Sequence, residues 1–145
     1  MIVKTILDEK GPELIKVKQT DSVRMVAQVF KAERIGFALV DDSANNHVGT
    51  ISERDIVQAI ADGGNIEGMI AKDVMTQNVV SVGPEETIET VRDIMTARRT
   101  RHVLVKDEGL VVGVVSIGDV IKHSLAECQI DTGQLREYIT GTGYQ

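Results

Sequence analysis

The chain has 145 residues, 42% hydrophobic and 26% charged, with a net charge of −6; this is the composition of an ordinary globular domain, not of a disordered or fibrous chain. The acidity, with no Lys/Arg cluster beyond Arg98-Arg99-Thr100-Arg101, argues against a phosphate-backbone groove for nucleic acid. The lone Cys128 permits no internal disulfide and fits a cytoplasmic location, no apolar run nears the roughly 20 residues that cross a bilayer, and Met1-Ile2-Val3-Lys4 does not open a signal peptide.

Leu14-Ile15-Lys16-Val17 alternates toward a strand, and Thr20-Asp21-Ser22 supplies helix N-cap chemistry. Val23, Val26, Ala27 and Phe30 then form the apolar stripe of a helix. The run Phe37-Ala38-Leu39-Val40 is too short for a helix and reads as a buried strand, paired across the turn formers Asp41 to Asn46 with His47-Val48-Gly49-Thr50-Ile51. Ser52 caps a second helix, with Ile56, Val57, Ile60 and Ala61 as its buried face, and Gly63-Gly64 ends it. After a crossing segment, Ile66 to Thr76, the path repeats. A strand at Val79 to Val82 leads to a helix with Ile88, Val91, Ile94 and Met95 inward. A hairpin of His102-Val105 and Leu110-Val115 follows, then a helix capped by Ser116 with Val120, Ile121 and Leu125 on its apolar side. Leu135, Tyr138 and Ile139 suggest a C-terminal helix needing a partner, and His47 and His123 read as surface residues.

The repetition is residue by residue. Val17, Val26, Ala32, Arg34, Val40 and Asp42 recur as Val82, Val91, Ala97, Arg99, Val105 and Asp107; Val48, Gly49, Ser52 and Asp55 recur as Val112, Gly113, Ser116 and Asp119. A duplicated α/β fold follows, two pseudo-symmetric β-α-β-β-α repeats with a cleft between them. Residues 1–68 hold the first repeat with its N-terminal segment, 69–126 the second, and 127–145 a helical tail. Each half alone approaches the size at which burial barely offsets chain entropy, so a shared core is expected.

The most polar repeated phrase, Gly-x-x-Ser-x-x-Asp, places a hydroxyl at a helix cap and a carboxylate within the first turn. Unpaired N–H groups at a helix start suit a phosphate, and a carboxylate can accept both hydroxyls of a ribose. Capping alone also accounts for either residue. Arg98 and Arg99 read as solvated helix-end cations. Arg101 stands apart as a candidate, because strand alternation separates it from His102. His102 is either a structural histidine or a phosphate contact. Ile35-Gly36-Phe37 is core strand, or a place where glycine lets a purine approach the backbone. Neither serine has a base beside it in sequence, and no phosphate loop or HExxH is present, so no catalytic or metal residues are assigned.

Ser52-Glu53-Arg54-Asp55-Ile56-Val57, Asp73-Val74-Met75-Thr76, Arg101-His102-Val103 and Ser116-Ile117-Gly118-Asp119-Val120, in this duplicated frame, resemble the recurring phrases of a tandem pair of cystathionine-β-synthase (CBS) domains, a Bateman module, over about residues 10 to 126. The resemblance implies two symmetry-related clefts for adenosine nucleotides such as AMP, ADP or ATP, sometimes S-adenosylmethionine or NAD(H), and a homodimer. It places ribose on Asp55 or Asp119, and phosphates on Ser52 and Arg54 or on Ser116 with Arg101 or His102. Thr20, Ile35, Gly36, Phe37 and Val80 complete the implied site. Gly118 stands where the first motif has Arg54, so the clefts differ in charge, and the Asp119 cleft is expected to borrow Arg101 and His102. The expected protein is a freestanding, non-catalytic regulatory module with no required cofactor. It would sense energy or redox state and pass a conformational change through Lys122 to Tyr144 to its dimer or to a protein target; a structural adaptor is the alternative.

Overall fold

In the computed structural model, which describes residues 1–126, two three-stranded sheets carry the two repeats. The first repeat runs β1 (Lys16–Lys18), α2 (Val23–Glu33), β2 (Phe37–Asp41), β3 (His47–Ser52) and α3 (Glu53–Ala61), after an N-terminal helix α1 (Val3–Lys10). A 3-10 turn (Ile66–Gly68) and a short helix α4 (Ala71–Val74) lead to β4 (Ser81–Val82), α5 (Ile88–Arg98), β5 (His102–Asp107), β6 (Leu110–Ser116) and a helix α6 over 117–126. In each sheet the first strand is parallel to the second and the second antiparallel to the third. The long helices begin where their caps lie: Ser22 Oγ accepts from Met25 N–H and Thr87 Oγ1 from Thr90 N–H. Both end on an arginine in the left-handed region, Arg34 at φ 55° and Arg99 at φ 52°, each with its N–H on a carbonyl of the last turn.

A shared core was expected, yet the buried apolar residues form two clusters. One joins Val17, Val26, Phe30, Ala38, Val40 and Ile51 to Ala71 from α4. The other joins Ile88, Val91, Met95, Val103, Val105, Val115 and Val120 to Val3 and Ile6 from α1. Each repeat is thus completed by the segment that precedes the other one. The two exchanges use the same bonds: Ala71 N–H on Asp21 O and Lys72 N–H on Gln19 O in one repeat, Val3 N–H on Glu86 O and Lys4 N–H on Pro84 O in the other. This explains the repeated glycine. A Cβ on Gly49 would lie 2.8 Å from Thr76 O, and one on Gly113 would collide with Leu7, so a side chain at either position would push the exchanged segment off its strand.

Three readings of burial change. Of the apolar face assigned to α3, Ile56 packs on the first core but Val57 is 62% and Ile60 55% exposed, and on α6 Val120 is buried while Ile121 and Leu125 are exposed; an amphipathic stripe reports a face that wants cover, not the chain that supplies it. His123 is buried, with Nε2 3.2 Å from Glu9 Oε2, because α1 lies where the sequence showed no element. His47 is half-buried, and its shielded Nδ1 has no partner. Leu135, Tyr138 and Ile139 lie outside the described residues.

Candidate functional site

A cavity of about 1060 Å³ opens between the repeats, at the upper end of the size range of small-molecule sites. The first repeat contributes Ile35, Gly36 and Phe37 from the start of β2, Thr50 and Ser52 from β3, and Arg54 and Asp55 from α3. The crossing chain adds Thr76, Asn78 and Val80, and the second repeat adds Arg98, Arg99, Thr100, Arg101 and His102. Lys31 and Arg34 complete a cationic wall of five arginines and a lysine against two acids, Glu53 and Asp55. Such a wall concentrates anions.

The Ser-x-x-Asp phrase is used as a reciprocal cap in both repeats. Asp55 N–H donates to Ser52 Oγ (3.2 Å), while Asp55 Oδ2 accepts from Ser52 N–H (2.8 Å) and Ser52 Oγ (3.0 Å). Ser116 and Asp119 repeat the exchange at 2.9 and 3.2 Å. Glu53 N–H and Ile117 N–H are also engaged, on Gly36 O and Arg101 O. The helix starts therefore offer fewer free N–H groups than the sequence suggested, and the positive charge of the cavity comes mainly from guanidinium groups. Glycine at position 36 makes room for Glu53, whose side chain would lie 2.7 Å from a Cβ there.

The two carboxylates differ in their remaining partner. Asp55 Oδ1 accepts from Thr76 Oγ1 at 3.1 Å, a neutral and rotatable hydroxyl. Asp119 Oδ2 accepts from Lys10 Nζ at 2.8 Å, and the same ammonium donates to Val114 O at 2.8 Å. Burial pushes the Asp119 carboxyl up, but the bonds from Lys10 and Ser116 outweigh it and hold the group below its ordinary range. Lys10, rather than Arg101 or His102, is the cation bonded to Asp119.

Phe37 and His102, equivalent positions of the two repeats, stack with ring centroids 4.3 Å apart and planes 11° from parallel. Burial, and then the charge of Lys10, push His102 from 6.5 down to about 4, so the ring is neutral at physiological pH. Arg54 crosses between repeats, its Nη1 donating to Arg99 O at 2.6 Å.

Of the residues singled out in the sequence, Ser52, Arg54, Asp55, Ile35, Gly36, Phe37, Val80, Arg101 and His102 line this one cavity; Ser116, Asp119 and Thr20 do not, and Thr20 is exposed in the turn after β1. Arg98 and Arg99, read as solvated helix-end cations, line the cavity as well, because the left-handed turn at Arg99 brings the helix end to the interface. Arg34 was missed as a site residue, although its recurrence as Arg99 marked the position. Lys10 carried no signal, and Thr76 was marked only as part of the phrase Asp73-Val74-Met75-Thr76, since both come from exchanged segments. Among the described residues no group of three or more His, Cys, Asp or Glu could hold a metal ion, and no helix is long and apolar enough to cross a membrane.

Exchanged segments, twin reciprocal caps and an interrepeat cavity define a paired-repeat module, and the CBS domain profile matches residues 4–62 and 71–126. The chain belongs to the CBS-domain family. It is 34% identical over 128 residues to an uncharacterized 17.7 kDa protein of Acidianus ambivalens, covering 88% of this chain and 77% of that one. It spans only 48% of each of two other matching proteins, from Methanocaldococcus jannaschii and Arabidopsis thaliana. Among solved structures, the CBS-domain containing protein ATU1752 from Agrobacterium tumefaciens is similar with a TM-score of 0.79 and 36% identity, over 83% of this chain and 91% of that one. The CBS domain protein PAE2072 from Pyrobaculum aerophilum, complexed with AMP, gives 0.71 and 27% over 82% and 89%. The CBS domain pair of MJ0100, in complex with 5′-methylthioadenosine and S-adenosyl-L-methionine, gives 0.72 and 25% over 84% and 98%.

Proposed function

We propose that this chain is a non-catalytic regulatory module that binds an adenine nucleotide, AMP, ADP, ATP or NAD(H), in the cavity beside Asp55. The arginine-rich wall facing that carboxylate carries the reading. A ribose diol donates to Asp55 while phosphates lie among Arg54, Arg99 and Arg101, the division of labour that a carboxylate and guanidinium groups perform best. The same wall disfavours a cationic sulfonium such as S-adenosylmethionine and favours ligands with several phosphates. Because the cavity is lined from both repeats, a ligand ties them together, and it shifts their arrangement only by as much as it binds one arrangement better. Energy or redox state is read out in that way.

The exposed apolar side chains Val57 and Ile60 of α3 and Ile117, Ile121 and Leu125 of α6 support a homodimer, since exposed apolar side chains gathered on a helix face mark contact sites. A second reading, a structural dimerisation adaptor with empty clefts, draws on the reciprocal caps, which account for Ser52 and Asp55 without any ligand.

Thermal unfolding with AMP, ADP, ATP and NADH separates the two readings. Saturating nucleotide at about 100 times its dissociation constant adds about 2.7 kcal/mol of stability, and Arg99→Ala with Arg101→Ala suppresses that gain. The adaptor reading gives no gain with any of the four ligands. The arginines are the better targets, because Asp55→Ala also removes a helix cap.

A further inference from the structure

The Asp119 carboxylate is already paired from within the chain. Lys10, the last residue of α1, places its ammonium 2.8 Å from both Asp119 Oδ2 and Val114 O. In the first repeat the equivalent carbonyl, Thr50 O, and the Asp55 carboxylate are met by the backbone N–H and the hydroxyl of Thr76, both neutral; the hydroxyl lies on Oδ1, whereas Lys10 lies on the oxygen that also takes the Ser116 cap N–H. Lys10 is held by its helix: Val3 and Ile6 are fully buried in the second repeat, and Leu7 lies against the bare backbone of Gly113. The Asp119 side chain is only 19% exposed and that of Lys10 39%, so the pair is partly shielded from solvent.

We propose that Lys10 decides which cleft binds: it occupies the sugar-binding carboxylate of the second cleft, so that the chain takes one nucleotide, at Asp55, and removal of the lysine charge opens a second site at Asp119. The inference rests on the nucleotide reading of the Asp55 cavity. An ammonium only donates hydrogen bonds, and it neutralises the carboxylate, so a ribose diol that engages both oxygens of Asp119 must break the ion pair at Oδ2. Gly118 stands where Arg54 serves the first cleft, so a phosphate finds no replacement cation on that helix turn. The charge of Lys10 is already matched by Asp119.

The test is the stoichiometry of ATP, AMP and NADH, each titrated calorimetrically into the full-length wild type, Lys10→Met and Lys10→Met/Asp119→Asn. Methionine keeps the aliphatic stem, and Lys10→Ala serves as a second variant. The inference expects one nucleotide per chain in the wild type, two in Lys10→Met, and one again in the double variant. One site in both wild type and Lys10→Met, or two in the wild type, overturns the role of Lys10 and leaves the nucleotide reading standing. No site in the wild type but one in Lys10→Met upholds Lys10 and overturns binding at Asp55. No binding of any ligand by any variant overturns both.

Discussion

The two repeats start from the same residues and end with different chemistry. Each repeat has a glycine under an exchanged segment, a Ser-Asp reciprocal cap and an arginine at a left-handed helix end. In the first repeat Asp55 meets the hydroxyl of Thr76 and follows Arg54, while in the second Asp119 meets the ammonium of Lys10 and follows Gly118. Duplication fixed the scaffold, and the residues that were not duplicated distribute the function. The capping pair is in that sense structural, and on the proposed reading selectivity is carried by the residues beside it, Thr76 and Arg54 against Lys10 and Gly118.

The comparison is broken most forcefully at the glycines. Gly49→Ala presses a Cβ against the backbone oxygen of Thr76, whereas Gly113→Ala meets the end of a leucine side chain that can turn aside. Gly49→Ala is expected to cost about 1–3 kcal/mol in urea unfolding, and Gly113→Ala clearly less. Equal losses would mean that the two exchanged segments are seated alike.

The stacked ring pair comes next. An unfolded histidine titrates near 6.5, while folded His102 does so at about 4. Between those values the unfolded chain takes up a proton that the native chain refuses. Stability therefore declines as pH falls through this window, by up to about 1.4 kcal/mol per unit. The stability held by the lowered Asp119 is lost only further down, below the ordinary carboxylate range. His102→Phe keeps the stack on Phe37 and should flatten the dependence between pH 6.5 and 4; an unchanged slope assigns it to another group.

Arg54→Ala removes a cation from the first cleft together with its bond to Arg99 O. Nucleotide affinity measured by calorimetry should fall about tenfold or more, the scale of a charge-assisted hydrogen bond. Unchanged affinity would place the phosphates elsewhere on the wall. The smallest effect is the most symmetric: Ser52→Ala and Ser116→Ala should each cost about 1 kcal/mol in urea unfolding. A marked inequality would show that the caps carry different loads.

Strands, helices and caps were legible because they obey local rules that the duplication repeats, as in the stripe Val23, Val26, Phe30 and the cap at Ser52. The exchange of segments was not legible. Val3 and Ile6 belong to a helix too short to announce itself, and its place in the second core depends on contacts some 100 residues away in the chain, such as that of Lys10 with Asp119. Much of the first cleft could be read from its motif, since Ser52, Arg54 and Asp55 stand in one helical turn. Arg98 and Arg99 were underrated because a charge at a helix end has a sufficient local explanation, and only the turn at Arg99 shows where the side chains go.

The central claim, that an adenine nucleotide sits beside Asp55 among arginines from both repeats, is tested most directly by a crystal structure of the full-length protein grown with ATP. The account predicts ribose hydroxyls on the Asp55 carboxylate, phosphates among Arg54, Arg99 and Arg101, and Lys10 still on Asp119. Nucleotide density on Asp119 with the Asp55 cavity empty, or no density in either cleft at saturating ATP, AMP and NADH, would contradict it.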